Sequence, residues 1–180
     1  GQFAISAGRD KTVRIWEAVN GRCIRILDGH KSWVESVAIS PDCQLALSGS
    51  DDKTIRLWEI TSGHCVYILE GHTSRLRLVA FSPTGQYVVS TGDYDGTVRL
   101  WDLSSGQCVY TDKLRSRVTS IAFSPNGRFA VWRTEDKNIG IWELAGARRI
   151  RTLVGHTNSI ESVAFSADGR YVLSGSSDKT

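Results

Sequence analysis

Apolar residues in this chain come in short alternating runs, without the three-to-four spacing of a helix face. One stretch shows the pattern well: WVESVAI at 33–39, LALS at 45–48, TIRLW at 54–58 and CVYIL at 65–69. Runs this short, rich in Val, Ile and aromatics, predict β-strands. Turn formers stand between them: SPDC at 40–43, where Pro41 fixes φ, Asp51-Asp52-Lys53, and TSG at 61–63. The stretch therefore predicts four short strands joined by tight turns in an antiparallel meander.

The same arrangement recurs along the chain. SGSDDKTIRLW at 48–58 has near-copies in SAGRDKTVRIW at 6–16, RTEDKNIGIW at 133–142 and SGSSDKT at 174–180. Trp16, Trp58, Trp101 and Trp142 are separated by 42, 43 and 41 residues. Gly-His pairs precede three units, at Gly29-His30, Gly71-His72 and Gly155-His156. Related segments follow: VAISPDC, VAFSPTG, IAFSPNG and VAFSADG. A period of about 40–45 residues per four-stranded unit is that of a propeller blade.

These joint recurrences of Gly-His, Ser, Asp and Trp resemble the WD-repeat (WD40-type) β-propeller family over essentially the whole chain. The dipeptide itself is literal only at Trp101-Asp102; the other units end in Trp16-Glu17, Trp58-Glu59 and Trp142-Glu143. The resemblance implies an all-β propeller segment of four-stranded antiparallel blades, about four blades' worth. The expected order is a half blade, three full blades and a half blade, with units at 1–28, 29–70, 71–112, 113–154 (degenerate) and 155–180. Such arrays often close at about seven blades, which suggests part of a larger ring. Gly1 at the start and the lack of Met suggest an internal piece of a longer protein.

The family also implies a hydrogen-bonded chain of Trp, Ser, His and Asp within each blade. By offset the matching residues are Ser6, Asp10 and Trp16; His30, Ser48, Asp52 and Trp58; His72, Ser90, Asp95 and Trp101; Asp136 and Trp142; and His156, Ser174 and Asp178. A buried carboxylate is costly unless donors surround it, and an imidazole can donate at one nitrogen while accepting at the other. Ser, His and Asp also form a hydrolase set. Their recurrence in several units, and the absence of a GxSxG segment, argue against catalysis. His64, in the TSGHC turn, reads as a solvated loop residue.

One unit departs from the pattern. Eleven residues before Pro125 the His position holds Leu114, and seven after it the Ser position holds Trp132. Here apolar packing by Leu114 and Trp132 is expected to replace the polar network, while Asp136 and Trp142 remain. The alternative is a binding site beside Arg115, Arg117 and Arg133. The preceding unit carries one extra residue in STGDYDGT, which should push Tyr94 outward.

Composition narrows the functional classes. The 180 residues are 41% hydrophobic and 23% charged, as in a folded domain, with a formal net charge of +3. With 22 basic against 19 acidic residues, interspersed, nucleic-acid binding is weakly supported. No apolar run reaches transmembrane length, and the start of the chain has no signal-peptide pattern. Cys23, Cys65 and Cys108 follow the repeat spacing, so with Cys43 they read as half-buried thiols, without disulfide or zinc. Reduced thiols suit a cytoplasmic setting. No P-loop, HExxH, EF-hand or GxGxxG motif occurs, so no cofactor, metal or catalytic residue is expected.

What remains is a rigid interaction platform. In WD-repeat proteins partners commonly dock on the narrow face, through the loop before the first strand and the turn between the second and third. By position the loop offers Lys31, Trp33, Thr73, Arg75, Arg115, Arg117, Thr157 and Ser159, and the turn offers Arg9, Asp51, Tyr94, Glu135 and Ser177. Arg, Trp and Tyr are enriched at binding hot spots, and an Arg–aromatic face suits acidic or phosphorylated peptides. The expected function is a non-catalytic protein–protein interaction scaffold. The alternative is a sensory or autoinhibitory array of a multidomain signalling enzyme, an NTPase or protein kinase.

Overall fold

In the computed structural model, residues 2–114 and 116–180 are described, and they form strands joined by turns, without a helix. β1 (Phe3–Ala7), β2 (Val13–Glu17) and β3 (Cys23–Leu27) make a three-stranded sheet. Three four-stranded antiparallel meanders follow. They are β4 (Val34–Ile39) to β7 (Cys65–Leu69) through β5 (Leu45–Ser50) and β6 (Ile55–Glu59); β8 (Leu76–Phe81) to β11 (Gln107–Lys113) through β9 (Tyr87–Gly92) and β10 (Thr97–Asp102); and β12 (Val118–Phe123) to β15 (Arg148–Leu153) through β13 (Phe129–Thr134) and β14 (Ile139–Glu143). β16 (Ile160–Phe165) pairs with β17 (Val172–Ser176).

The all-β blade architecture is as the repeat predicts, with strand ends moved by a residue or two. The first strand begins at Val34, the second runs on to Ser50, and the third spans Ile55–Glu59. The first unit holds three strands, one more than half a blade, because Cys23–Leu27 pairs with β2. β11 continues to Lys113, which pairs with Thr97, one residue into the segment expected to open the next unit.

Turn chemistry explains why the strands stop where they do. Lys11, Lys53, Lys137 and Lys179 all have φ between 67° and 72°, the left-handed geometry of the Asp-Lys turn. In the lengthened turn Gly96, at φ 63°, takes that place without the Cβ penalty. A second family of turns is capped by serine: Ser40 Oγ accepts from the Leu45 amide at 2.9 Å, Ser82 Oγ from Tyr87 at 3.0 Å and Ser124 Oγ from Phe129 at 2.8 Å. A register shift recurs just before Trp16, Trp58, Trp101 and Trp142, with one extra residue on the outer strand that pairs with each.

The core lies between successive sheets. Leu47, Ile55 and Leu57 of one meander pack against Leu76, Val79, Phe81 and Trp101 of the next. Trp58 reaches back to Val13, Ile15 and Leu27 of the first sheet. The inner strands are buried, whereas β7 shows Cys65 to Ile68 to solvent and buries only Leu69. Trp58, Trp101 and Trp142 are thus bolts between neighbouring sheets as well as parts of their own.

Candidate functional site

The polar chain inside the regular units has consistent geometry. His30 Nδ1 stands 2.8 Å from Asp52 Oδ2, and Nε2 stands 2.7 Å from Ser48 Oγ. Trp58 Nε1 donates to Ser48 Oγ at 2.8 Å. Because the carboxylate only accepts, Nδ1 carries the proton and Nε2 accepts from the serine hydroxyl. The next unit repeats it: His72 to Asp95 at 3.0 Å, His72 to Ser90 at 2.8 Å, Trp101 to Ser90 at 2.8 Å. His156 stands 2.8 Å from both Asp178 and Ser174. In the first unit Trp16 donates to Ser6 at 2.8 Å, and Asp10 accepts from the Thr12 amide and Arg14.

Burial and hydrogen bonding pull the charges in predictable directions. Burial drives His30 and His72 below the ordinary imidazole value, against the pull of Asp52 and Asp95, so both rings are neutral. Burial opposes ionisation of Asp52, yet donors from Thr54, the Lys31 amide and His30 hold it at about 2. Asp95 is likewise at about 2: burial opposes, and the amide and hydroxyl of Thr97 with His72 prevail. Asp178 is lowered by the Thr180 hydroxyl, His156 and the Thr157 and Thr180 amides. Ser48 and Ser90 are fully buried with an indole proton on the hydroxyl, out of reach of any substrate.

The fourth sheet is built differently: Leu114 and Trp132 pack with Trp142 in one apolar cluster, as expected. Trp132 is buried and meets Trp142 edge-on at 4.7 Å. The Trp142 indole proton nevertheless has a polar partner, Asp112 Oδ2 at 3.3 Å, from β11 of the preceding sheet. Asp136 and Trp142 do not share a network. Asp136 accepts from the Thr134 hydroxyl, and its amide donates to Ser116. Asp112 was missed, although a signal was there: eleven residues after each repeat tryptophan stands Leu27, Leu69 or Leu153, but Asp112 after Trp101.

A second cluster occupies the loop-and-turn face. Asp93 is buried, its carboxylate 2.7 Å from Arg75 Nε and 2.7 Å from Arg117 Nε. Both guanidinium groups lie over the Tyr94 ring, at 5.1 and 5.8 Å, and Arg75 Nη2 donates to the Tyr94 hydroxyl at 3.1 Å. Arg117 also reaches Glu135 at 3.5 Å. Arg9 stacks on Trp33 at 4.5 Å. Tyr94 is 72% exposed, in line with the outward displacement expected of the longer turn.

Asp93, not Tyr94, is the counterpart of Asp51, Glu135 and Ser177. The amides of these four donate to Arg75 O, Trp33 O, Arg117 O and Ser159 O respectively. Sequence reasoning overlooked Asp93 because the inserted residue blurred the register.

The remaining candidates are more dispersed. Lys31, Thr73, Thr157, Ser159 and Ser177 are exposed around the same loops. The Lys31, Thr73 and Thr157 amides also anchor Asp52, Asp95 and Asp178. Of the arginines considered for a site in the fourth unit, Arg117 turns to Asp93, and Arg133 donates to Ile160 O. Arg115 lies outside the described residues. His64 is exposed, and Cys23, Cys43, Cys65 and Cys108 are free thiols.

Repeated meanders, two of them stapled by the full set of Trp, Ser, His and Asp, define a class, and comparison with known proteins agrees. The family model "WD domain, G-beta repeat" matches residues 1–17, 21–59, 63–102, 106–143 and 147–180, and the chain belongs to this WD40 family. Similar curated proteins include two fungal sequences named "Nuclear distribution protein PAC1". The one from Coccidioides posadasii is 33% identical over 180 residues, all of this chain and 34% of the relative. The one from Arthroderma otae is 32% identical over 203 residues, all of this chain and 35% of the relative. The chain thus spans about a third of the length of these relatives. WD40 membership supports a general role as a protein-interaction scaffold.

Proposed function

We propose that this protein is a non-catalytic interaction scaffold that binds peptide or protein partners on the face built from Lys31, Trp33, Asp51, Thr73, Arg75, Tyr94, Arg117, Glu135, Thr157, Ser159 and Ser177. The observation that carries this reading is the pair of braced aromatics. Trp33 is 39% exposed with Arg9 stacked on it, and Tyr94 is 72% exposed with two arginines against its ring. An exposed aromatic held rigid by a cation loses little entropy on binding, which is what a hot spot requires. The contacts run on across sheets, from Arg75 through Asp93 to Arg117 and Glu135. The units presenting this face are 29–70, 71–112, 113–154 and 155–180, preceded by 1–28.

Asp93 already holds Arg75 and Arg117, so an acidic or phosphorylated partner residue would draw on Lys31 and Arg9. The non-catalytic reading rests on the buried, indole-capped hydroxyls of Ser48 and Ser90. A cytoplasmic setting is part of this reading, on the ground that free cysteines suit a reducing compartment.

The test is affinity capture with the Trp33→Ala, Tyr94→Ala double variant, chosen because charge reversal at Arg75 or Arg117 would disturb the buried Asp93. Loss of captured partners with an unchanged unfolding curve supports the reading. Capture of the same set as wild type defeats it.

A further inference from the structure

The strongest feature outside the braced face is a cavity in the fourth sheet, and it comes from coordinated changes in the repeat. In the regular units an arginine from the third strand fills the space beneath the glycine of Gly-His. A Cβ on Gly29 would lie 2.8 Å from Arg56 Nη1, and one on Gly71 2.9 Å from Arg99 Nη1. In the fourth unit the Gly-His pair is replaced by Lys113-Leu114 and the arginine by Gly140. Trp132 drops onto the bare backbone: a Cβ on Gly140 would stand 2.1 Å from Trp132 Cζ2. The indole occupies only part of the vacated room, and a cavity of 230 Å³ remains against Leu114, Trp132 and Gly140.

The lining of the cavity indicates what fits. Besides the Trp132 indole, five side chains at it can donate hydrogen bonds, Lys113, Thr134, Asn138, Arg149 and Thr152, of which the Thr134 hydroxyl is already given to Asp136. Two of these are cations, against the single carboxylate of Asp136. Lys113 makes no ion pair among the described residues, and Arg149 is only loosely held, 3.6 Å from Asp112. Trp132 and Leu114 supply an apolar wall. The volume is that of about eight waters at roughly 30 Å³ each, below the roughly 300 Å³ at which whole-ligand pockets begin. It suits one side chain or one small anion, not a cofactor. A more open groove of 490 Å³ beside Tyr94 and Arg117 shares Lys113 and Leu114 as a wall, so an extended chain could enter from that side.

We propose that the cavity lined by Lys113, Leu114, Trp132 and Arg149 is an anion-recognition pocket, taking a carboxylate or phosphate carried on a short stem. The anion meets Lys113 and Arg149, and the stem lies against Trp132 and Leu114. Its source is either an acidic or phosphorylated side chain of a peptide or a free small anion. The pocket does not depend on partner binding at Trp33 and Tyr94.

The experiment is calorimetric titration of the protein, alongside NMR of the Trp132 indole N–H. The probes are an amidated pentapeptide with a central phosphoserine, the same peptide with Glu or Ser there, and inorganic phosphate. The phosphoserine and Glu peptides should bind and shift the Trp132 resonance, and the Ser peptide should not. Lys113→Gln, at an exposed position, should weaken binding about tenfold, as expected for loss of one charge-assisted contact, and Lys113→Arg should restore it. Tighter binding of the peptides than of phosphate identifies a peptide source; equal binding identifies a free anion. The Trp33→Ala, Tyr94→Ala variant should bind the probes unchanged, which separates this site from the braced face. The proposal is overturned if no anion binds at millimolar concentration, if the Ser peptide binds equally, or if Lys113→Gln has no effect.

Discussion

Replacing His30 by leucine tests the polar staple most directly. The ring is buried, donating to Asp52 at 2.8 Å and accepting from Ser48 at 2.7 Å. Leucine keeps most of the volume, so the cavity contribution is small. A hydrogen bond to a charged group nets about 1.5–3 kcal/mol and a neutral one about 0.5–1.5. Asp52 keeps its contacts with the Thr54 amide and hydroxyl and the Lys31 amide, and Ser48 keeps the Trp58 indole. The buried Ser48 hydroxyl proton, however, loses its acceptor and has only Arg56 O, at 3.5 Å, to turn to, so the loss is at least the sum of the two bonds, about 2–4.5 kcal/mol. Urea unfolding followed by tryptophan fluorescence should show a lower midpoint at unchanged slope. Leu114→His is the mirror experiment. Trp132 stands at the Ser position there, so the imidazole lacks its hydroxyl partner, and this change should also destabilise. A His30→Leu midpoint within about 0.5 kcal/mol of wild type, the range of an ordinary surface substitution, would refute the reasoning. So would a stabilised Leu114→His.

Two further outcomes follow from the same geometry. Stability should fall as pH drops below the ordinary histidine value of 6.5, because unfolded chains take up protons that buried His30 and His72 resist. It should fall again between about 4 and 2 as Asp52 and Asp95, lowered from 3.8 to about 2, are protonated. Each carboxylate is worth at most about 2 kcal/mol before solvent screening; denaturant midpoints that stay flat from pH 7 to 3 would contradict this. Gly140→Ala should cost about 1–3 kcal/mol by overpacking, because its methyl would stand 2.1 Å from Trp132 Cζ2. Adding Trp132→Ser should relieve most of that loss in a double-mutant cycle, and simple additivity would show that the indole does not rest on this glycine.

Much of this protein was legible without coordinates because its signals are local and repeated. Strand runs, turn residues and the Trp, Ser, His and Asp offsets recur at one period, and each is set by neighbours within the same unit. The members of a staple are far apart in sequence, His30 from Asp52 by 22 residues, yet repetition shows that they travel together. The outward turn at Tyr94 was readable for the same reason, as one residue too many in an otherwise fixed loop.

Three features depended on contacts between sheets, where a single sequence gives no register. Asp112 became the partner of the Trp142 indole only because the two sheets pack closely enough for the indole of one to reach the carboxylate of the other. Asp93 became the buried anchor of Arg75 and Arg117, which flank it from two different units. The cavity beneath Trp132 appeared because the missing arginine, the added indole and the lost Gly-His pair share one volume. The sequence by itself determined the strands, the turns and the repeated staple, since periodicity and local hydrogen bonding define them. Only the tertiary structure decided which charges neutralise each other and where space is left over, because both are set by close packing between units.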